Sequence, residues 1–191
     1  MMPTFDELLK IRRSVRDYED RPVPLDLVKT LITESTCAPN ASNEQLWRFA
    51  IVGDKEYMRR ISDESKKNIL ATIQVDPKSP IARYESMLRN ASFNVFYNAP
   101  CLVIIAGPTE RPNMQVDCAL AAGYFMLAAA ARGLGTCWIN LGSYIEDAGM
   151  RAELGLDAAT KVVAPIILGY PKHIPEMPKR NPPRILAVIE P

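Results

Sequence analysis

A single domain with an α/β or α+β core is what this sequence predicts, and three stretches predict it. The first runs from Asp117 to Asn140. Its part from Asp117 to Arg132 holds seven alanines and no proline, which reads as a helix. Leu120, Tyr124, Phe125, Met126, Leu127 and the alanines occupy every side, so this helix has to be covered all round. It is shorter and richer in alanine than the roughly 20 strongly apolar residues of a bilayer span, so protein is expected to supply the cover, part of it from a second subunit. Gly133 accepts the left-handed conformation that stops a helix, and Thr136 to Ile139 reads as a short buried strand. The second observation is a pair of continuous apolar runs. Cys101 to Ala106, between Pro100 and Gly107, suits a strand buried on both faces. Lys161 to Leu168 supplies another strand, in which the missing N–H of Pro165 predicts an edge or a bulge. The third is a change of composition from Pro171 to Pro191, where six prolines, the basic residues Lys172, Lys179, Arg180 and Arg184, and the apolar run Ile185 to Ile189 make a segment that cannot fold on itself. It reads as a disordered tail or an arm on another surface. The exposed strand favours the arm, because such a strand invites pairing.

The remaining elements follow in order. Thr4 with Glu7 three residues later has the spacing of a capping box, and Phe5, Leu8, Leu9 and Ile11 give a short helix its apolar side. A second helix is predicted from Pro24 to about Thr36, with Leu27 and Leu31, Val28 and Ile32 at i,i+4 spacing, stopped by Pro39. Asn40 to Gln45 is a polar loop, and Leu46 to Val52 is the first strand, closed by Gly53 and Asp54. Charged, glycine-free sequence from Asp54 to Asn98 predicts two helices parted at Pro77 and Pro80. The second half gathers Tyr84, Met87, Phe93, Phe96 and Tyr97, which line a pocket or dock on the core, with core packing the safer assignment. Ser143 with Glu146 caps a further helix ending near Gly155. There are no internal repeats.

At 191 residues the chain suits one domain, or one domain plus an arm. Lys and Arg total 23 against 22 for Asp and Glu, a net charge of +1 that offers no global field for nucleic acid or an anionic membrane. Cys37, Cys101, Cys118 and Cys137 sit without close pairing in apolar or small-residue stretches, which predicts buried reduced thiols rather than a metal cluster or disulfides. With no signal peptide at the N-terminus, the expected location is the cytoplasm. One histidine, His173, leaves no multi-histidine metal site and reads as a solvated tail residue. Gly133 and Gly135 lack the third glycine and the preceding strand of a dinucleotide fingerprint, and no phosphate-binding loop ending in Gly-Lys-Ser/Thr occurs. Without an obvious nucleophile, the reactive atom of an enzyme of this sequence would belong to a bound cofactor. The cluster Arg12, Arg13, Ser14, Arg16 fits that idea, because guanidinium groups and a hydroxyl bind phosphate through charge-assisted hydrogen bonds. The competing reading is a solvated basic turn paired with Asp17, Glu19 and Asp20, and charge alone does not choose between them.

Three segments in this order, Arg12 to Tyr18, Ala38 to Phe49 and Ala131 to Ile139, resemble the nitroreductase family of FMN-dependent oxidoreductases. The resemblance implies an α+β fold, a central mixed β-sheet flanked by helices, with a domain-exchanged C-terminal arm. Residues 1–170 would form the FMN-binding domain, with a variable helical substrate lid at 62–98, and residues 171–191 the arm around the partner of a homodimer. By the same resemblance Arg12, Arg13, Ser14 and Arg16 hold the FMN phosphate and reach the flavin's polar edge. Pro39, Asn40, Ala41 and Asn43 cover the flavin from the partner subunit, Asn140 and Leu141 present a backbone amide to the flavin N5, and Lys179 and Arg180 close on the phosphate from the arm. Leu46 departs from a usual proline and Asn40 from a smaller residue, both beside the flavin loop. The implied activity is hydride transfer from NADH or NADPH to FMN and on to a small acceptor such as a nitroaromatic or quinone, with binding residues and no side-chain acid or base. The alternatives are a flavin-cleaving or reductive dehalogenase-like member and a non-enzymatic flavin-binding redox protein, with a nucleic-acid-binding module ranked last.

Overall fold

The computed structural model describes residues 3–190. Arg48–Val52 (β1), Cys101–Pro108 (β2), Gly135–Trp138 (β3) and Thr160–Gly169 (β4) form one sheet in the order β1-β2-β4-β3. Each strand pairing is antiparallel, and the parallel component expected of a mixed sheet is the single bridge between Ser14 and Thr136. The continuous apolar run of β2 has its cause in two covered faces. Leu102, Ile104 and Ala106 pack with Met58, Ile61, Ile69 and Phe96, while Cys101, Val103 and Ile105 pack with Val28, Leu31, Phe125 and Ile166.

Pro165 lies on an inner strand, which corrects the expected edge. Its carbonyl accepts from the Ile139 amide at 2.8 Å, just past the end of β3, so the donor that proline lacks falls where the short strand has already stopped. A bulge does occur near it on the same strand, where Val163 is the extra residue opposite Ile105 and Ala106.

Among the described residues six α-helices surround the sheet: α1 (Phe5–Ile11), α2 (Leu25–Ser35), α3 (Lys55–Val75), α4 (Glu85–Arg89), α5 (Met114–Ala131) and α6 (Ala148–Glu153). The capping box of α1 is present, with the Glu7 amide donating to Thr4 Oγ1 and the Thr4 amide to Glu7 Oε2 at 2.7 Å. The helix expected after Pro80 is reduced to a 3₁₀ turn, Pro80–Tyr84, and the five residues of α4. Asp147, not Ser143, caps α6, accepting from the Met150 amide at 2.8 Å. The Ser143 hydroxyl instead donates to the Asn140 carbonyl at 2.7 Å and closes a 3₁₀ turn, Asn140–Ser143.

The apolar helix α5 starts at Met114, three residues before the expected Asp117, and ends as read, with Gly133 at φ +72°. By length and mean hydropathy, 1.4, it is apolar enough to cross a membrane, but Cys118, Ala121, Ala122, Phe125 and Ala129 are buried against α2 and the sheet. Val116, Leu120 and Tyr124 face outward, respectively 59%, 39% and 43% exposed, so this chain does not cover the helix all round. Three cysteines are buried as expected. Cys37 is exposed, because it lies in the turn just after α2.

The root of the C-terminal segment is tied down. The Glu19 amide donates to the Tyr170 carbonyl at 2.8 Å, the Lys172 amide to the Asp17 carbonyl at 3.2 Å, and Arg21 stacks 3.8 Å over the Tyr170 ring. From Ile174 to Glu190 the chain has neither helix nor strand, and Ile185, Leu186, Val188 and Ile189 are exposed along with His173.

Candidate flavin and substrate site

After α1 the chain turns past the edge of β3, where the Val15 amide donates to the Thr136 carbonyl at 3.0 Å. This approach requires glycine at 135, since a Cβ there would lie 2.8 Å from the Val15 side chain. Arg13 is buried, and its guanidinium donates to the carbonyls of Lys10 and Arg12, so it stiffens the turn from within. The Arg12 guanidinium is lowered from its ordinary pKa by burial first, then by the neighbouring charges of Arg13 and Arg180. Three cations therefore gather where the arm passes the turn. Two of the three carboxylates that would have made this a self-neutralised loop are used elsewhere, Asp17 pairing with Lys172 at 3.0 Å and Asp20 with Lys55, and Glu19 pairs with none of the turn's arginines. Among the described residues none of Arg12, Arg13 and Arg16 makes an ion pair. The Cys137 thiol lies beneath the turn, pushed up by burial and pulled down by Arg16, Ser14 and Arg12.

Beside this cluster opens a cavity of about 760 Å³. One wall is the end of β3 and the following turn, with Trp138, Ile139, Asn140 and Leu141. Another wall comes from the segment between α3 and β2, with Ile81, Arg83, Tyr84, Met87 and Tyr97. Arg16, Gln115, Tyr144 and the start of β4, Lys161 to Val163, complete it. The amides of Asn140 and Leu141 meet no backbone or side-chain acceptor among the described residues, and the buried indole N–H of Trp138 has no partner either. The cavity wall thus carries unused donors. Such donors orient a polar heterocycle.

The aromatic concentration divides between pocket and core. Tyr84, Met87 and Tyr97 line the cavity, Phe93 packs edge-on against Tyr97 at 5.8 Å, and Phe96 is fully buried beneath Gly142, where a Cβ would come within 2.4 Å of its ring. Two polar residues of α3 hold this wall from behind. Lys66 Nζ, itself buried, donates to the Asn90 and Phe93 carbonyls, both at 2.9 Å, and Ser62 Oγ accepts from the Val95 amide at 3.0 Å.

Of the residues singled out from the sequence, Arg16, Asn140 and Leu141 line the cavity, and Arg12, Arg13 and Ser14 form the turn leading to it. Arg180 passes close to Arg12, and Lys179 is exposed on the same arm. Pro39, Asn40, Ala41 and Asn43 do not line the cavity of their own chain. Their loop is braced as a separate platform: buried Asp117 accepts from the Ala41 amide at 3.1 Å, Asn40 Oδ1 from the Gln45 amide at 2.9 Å, and Ser42, Asn43 and Gln45 are left-handed at φ 52°. Arg83, Gln115, Tyr144 and Lys161 escape the sequence reading, because nothing local distinguishes them from solvated side chains.

The family model described as the Nitroreductase family matches residues 9–170. A protein of Archaeoglobus fulgidus, provisionally named an NADH dehydrogenase/NAD(P)H nitroreductase, is 31% identical over 177 residues, 87% of either chain. An iodotyrosine deiodinase of Thermotoga neapolitana is 30% identical over 134 residues, covering 68% of this chain and 70% of its own. Among solved structures, a nitroreductase of Bacteroides fragilis with bound FMN superposes with a TM-score of 0.79 at 26% identity over 96% of both chains. With the match running from the end of α1 through the arginine turn and the whole sheet, the chain belongs to the nitroreductase family.

Proposed function

We propose that this chain is an FMN-dependent oxidoreductase that takes hydride from NADH or NADPH and passes it to a small acceptor such as a nitroaromatic or quinone, in alternating half-reactions. The observation that carries the reading is the uncompensated cation cluster of Arg12, Arg13 and Arg180 beside a cavity with free backbone donors. The residues present fit FMN. Arg12, the Ser14 hydroxyl and the arm's Lys179 and Arg180 suit a phosphate dianion, which would offset the mutual repulsion of the guanidiniums. Arg13 then serves the turn's shape as much as its charge, since its guanidinium is already engaged with backbone carbonyls. Arg16, 5.7 Å from the Tyr97 ring at the cavity wall, suits the polar edge of an isoalloxazine, and the Asn140 and Leu141 amides suit its N5 side. When bound, FMN supplies two-electron chemistry between a nicotinamide and the acceptor. The protein's part is to place charge and exclude water, with no side-chain acid or base assigned. The bound FMN of the Bacteroides fragilis relative supports the same reading.

The working unit in this reading is a cytoplasmic homodimer. The outward face of α5, Val116, Leu120 and Tyr124, is continued by exposed Phe5 and Leu9 of α1 and asks for an apolar partner. A second copy would bring its platform of Pro39, Asn40, Ala41 and Asn43 over the flavin, and its arm would be exchanged. The test is direct: purified protein should be yellow, release FMN on denaturation, and bleach on adding NADH or NADPH. A colourless protein that refuses added FMN overturns the reading. The deiodinase relative favours one second reading, reductive dehalogenation, which an assay for halide release from a halotyrosine would detect.

A further inference from the structure

The charge of the cavity is one-sided. Besides Arg16, which the proposed flavin site uses, its lining carries Arg83 and Lys161 and not one aspartate or glutamate. Among the described residues neither Arg83 nor Lys161 lies within ion-pair distance of a carboxylate. A cleft lined by one sign of charge against low-dielectric walls focuses its field and gathers ligands of the opposite sign. The walls here are aromatic and aliphatic, with Tyr84, Met87, Tyr97 and Leu141 facing the same space. Arg83 is preorganised for the task, its guanidinium stacked 4.7 Å over the Tyr84 ring. Lys161 approaches from the opposite side, at the start of β4, where the cavity passes Ser143 and Tyr144 into an open groove.

From this arrangement we infer that the preferred acceptor is an aromatic anion, its ring held among Tyr84, Met87, Tyr97 and Leu141 and its carboxylate, or a comparable acidic group, held by Arg83 and Lys161. The inference rests on the flavin-dependent reading above, from which it takes the position of Arg16. The same two cations would also serve the additional phosphate of NADPH, so the two sources of negative charge have to be separated.

The experiment uses the FMN-loaded protein with NADH as donor and compares 4-nitrobenzoate with the neutral 4-nitrobenzamide. The benzoate should have the higher kcat/KM by roughly three- to tenfold, the scale expected of exposed cations screened by solvent, and the advantage should shrink with added salt. Arg83→Gln and Lys161→Gln should each lose most of that advantage while FMN content and turnover of the benzamide stay unchanged. Calorimetric titration with benzoate and benzamide reads the same site without turnover and should show the same order and the same loss. Equal kcat/KM for the two acceptors, or an advantage that survives both substitutions, overturns the inference. If both acceptors turn over equally and the variants instead lose only the preference for NADPH over NADH, the cations belong to the donor and the inference falls. Failure of the flavin reading looks different, since no FMN is retained and neither acceptor is reduced.

Discussion

Arg12 is the side chain on which the proposed flavin site turns, because it alone in its turn is half-buried, charged and free of an internal acceptor, with Arg13 and Arg180 as neighbours. Arg12→Ala removes one or two charge-assisted hydrogen bonds to the phosphate, each worth about 1.5–3 kcal/mol, so FMN affinity measured by flavin fluorescence should fall at least about tenfold and the protein should purify largely as apoprotein. The thiols give a second residue-level expectation. Burial pushes Cys101 and Cys118 up to about 12, whereas Cys37 is exposed, so a maleimide at neutral pH should label Cys37 first and the buried pair only after unfolding. Their sign sets an alkaline limit. Once pH exceeds the thiol's ordinary 9.0, the unfolded chain ionises before the folded one, and stability should decline from there towards about 12. At this scale the sequence was legible where one pattern has no local competitor. Thr4 and Glu7 sit three apart and cap α1 as read, while the Ser143 hydroxyl, read as a cap, is taken by the Asn140 carbonyl in a 3₁₀ turn and Asp147 caps α6 instead.

Among the elements, β2 could be read because burial on both faces leaves a continuous apolar run, and α5 because its outward residues Val116, Leu120 and Tyr124 are as apolar as its buried ones. The segment between α3 and β2 was less legible. Its wall is held from α3 by Lys66, and in a helix that also carries Arg59, Asp63, Glu64 and Lys67 one buried lysine looks like any other charged position. Pro165 shows the same gap, since its tolerance inside the sheet depends on where β3 stops. Lys66→Met keeps the aliphatic stem and deletes both bonds to the 90–93 loop, leaving two carbonyls to find water. The expected result is a several-fold rise in acceptor KM with FMN content nearly intact, checked by steady-state kinetics beside flavin content. Parallel loss of both would mean that the lysine supports the core at large. Lys66→Arg, which retains charge-assisted donors, should recover part of the KM.

For the whole molecule, the family and the sheet flanked by helices followed from three separated segments in the right order, but the arm's path did not, because proline-rich chain takes its course from whatever surface receives it. Its anchored root defines a clean cut. Truncation after His173 spares the pairing of Tyr170 and Lys172 with residues 17–19 and removes Arg180 with the apolar run, so dimer affinity and FMN affinity should weaken together in sedimentation and flavin titrations. A truncated protein that stays dimeric with full flavin would refute the exchanged arm. The outward residues of α5 carry one more consequence. If association finishes the covering of Val116, Leu120 and Tyr124, mass action makes unfolding a reaction between two chains, and the melting temperature becomes a function of how much protein is in the tube. Successive dilutions should lower it step by step, and the cell could then set the enzyme's lifetime through its rate of synthesis as much as through the sequence itself.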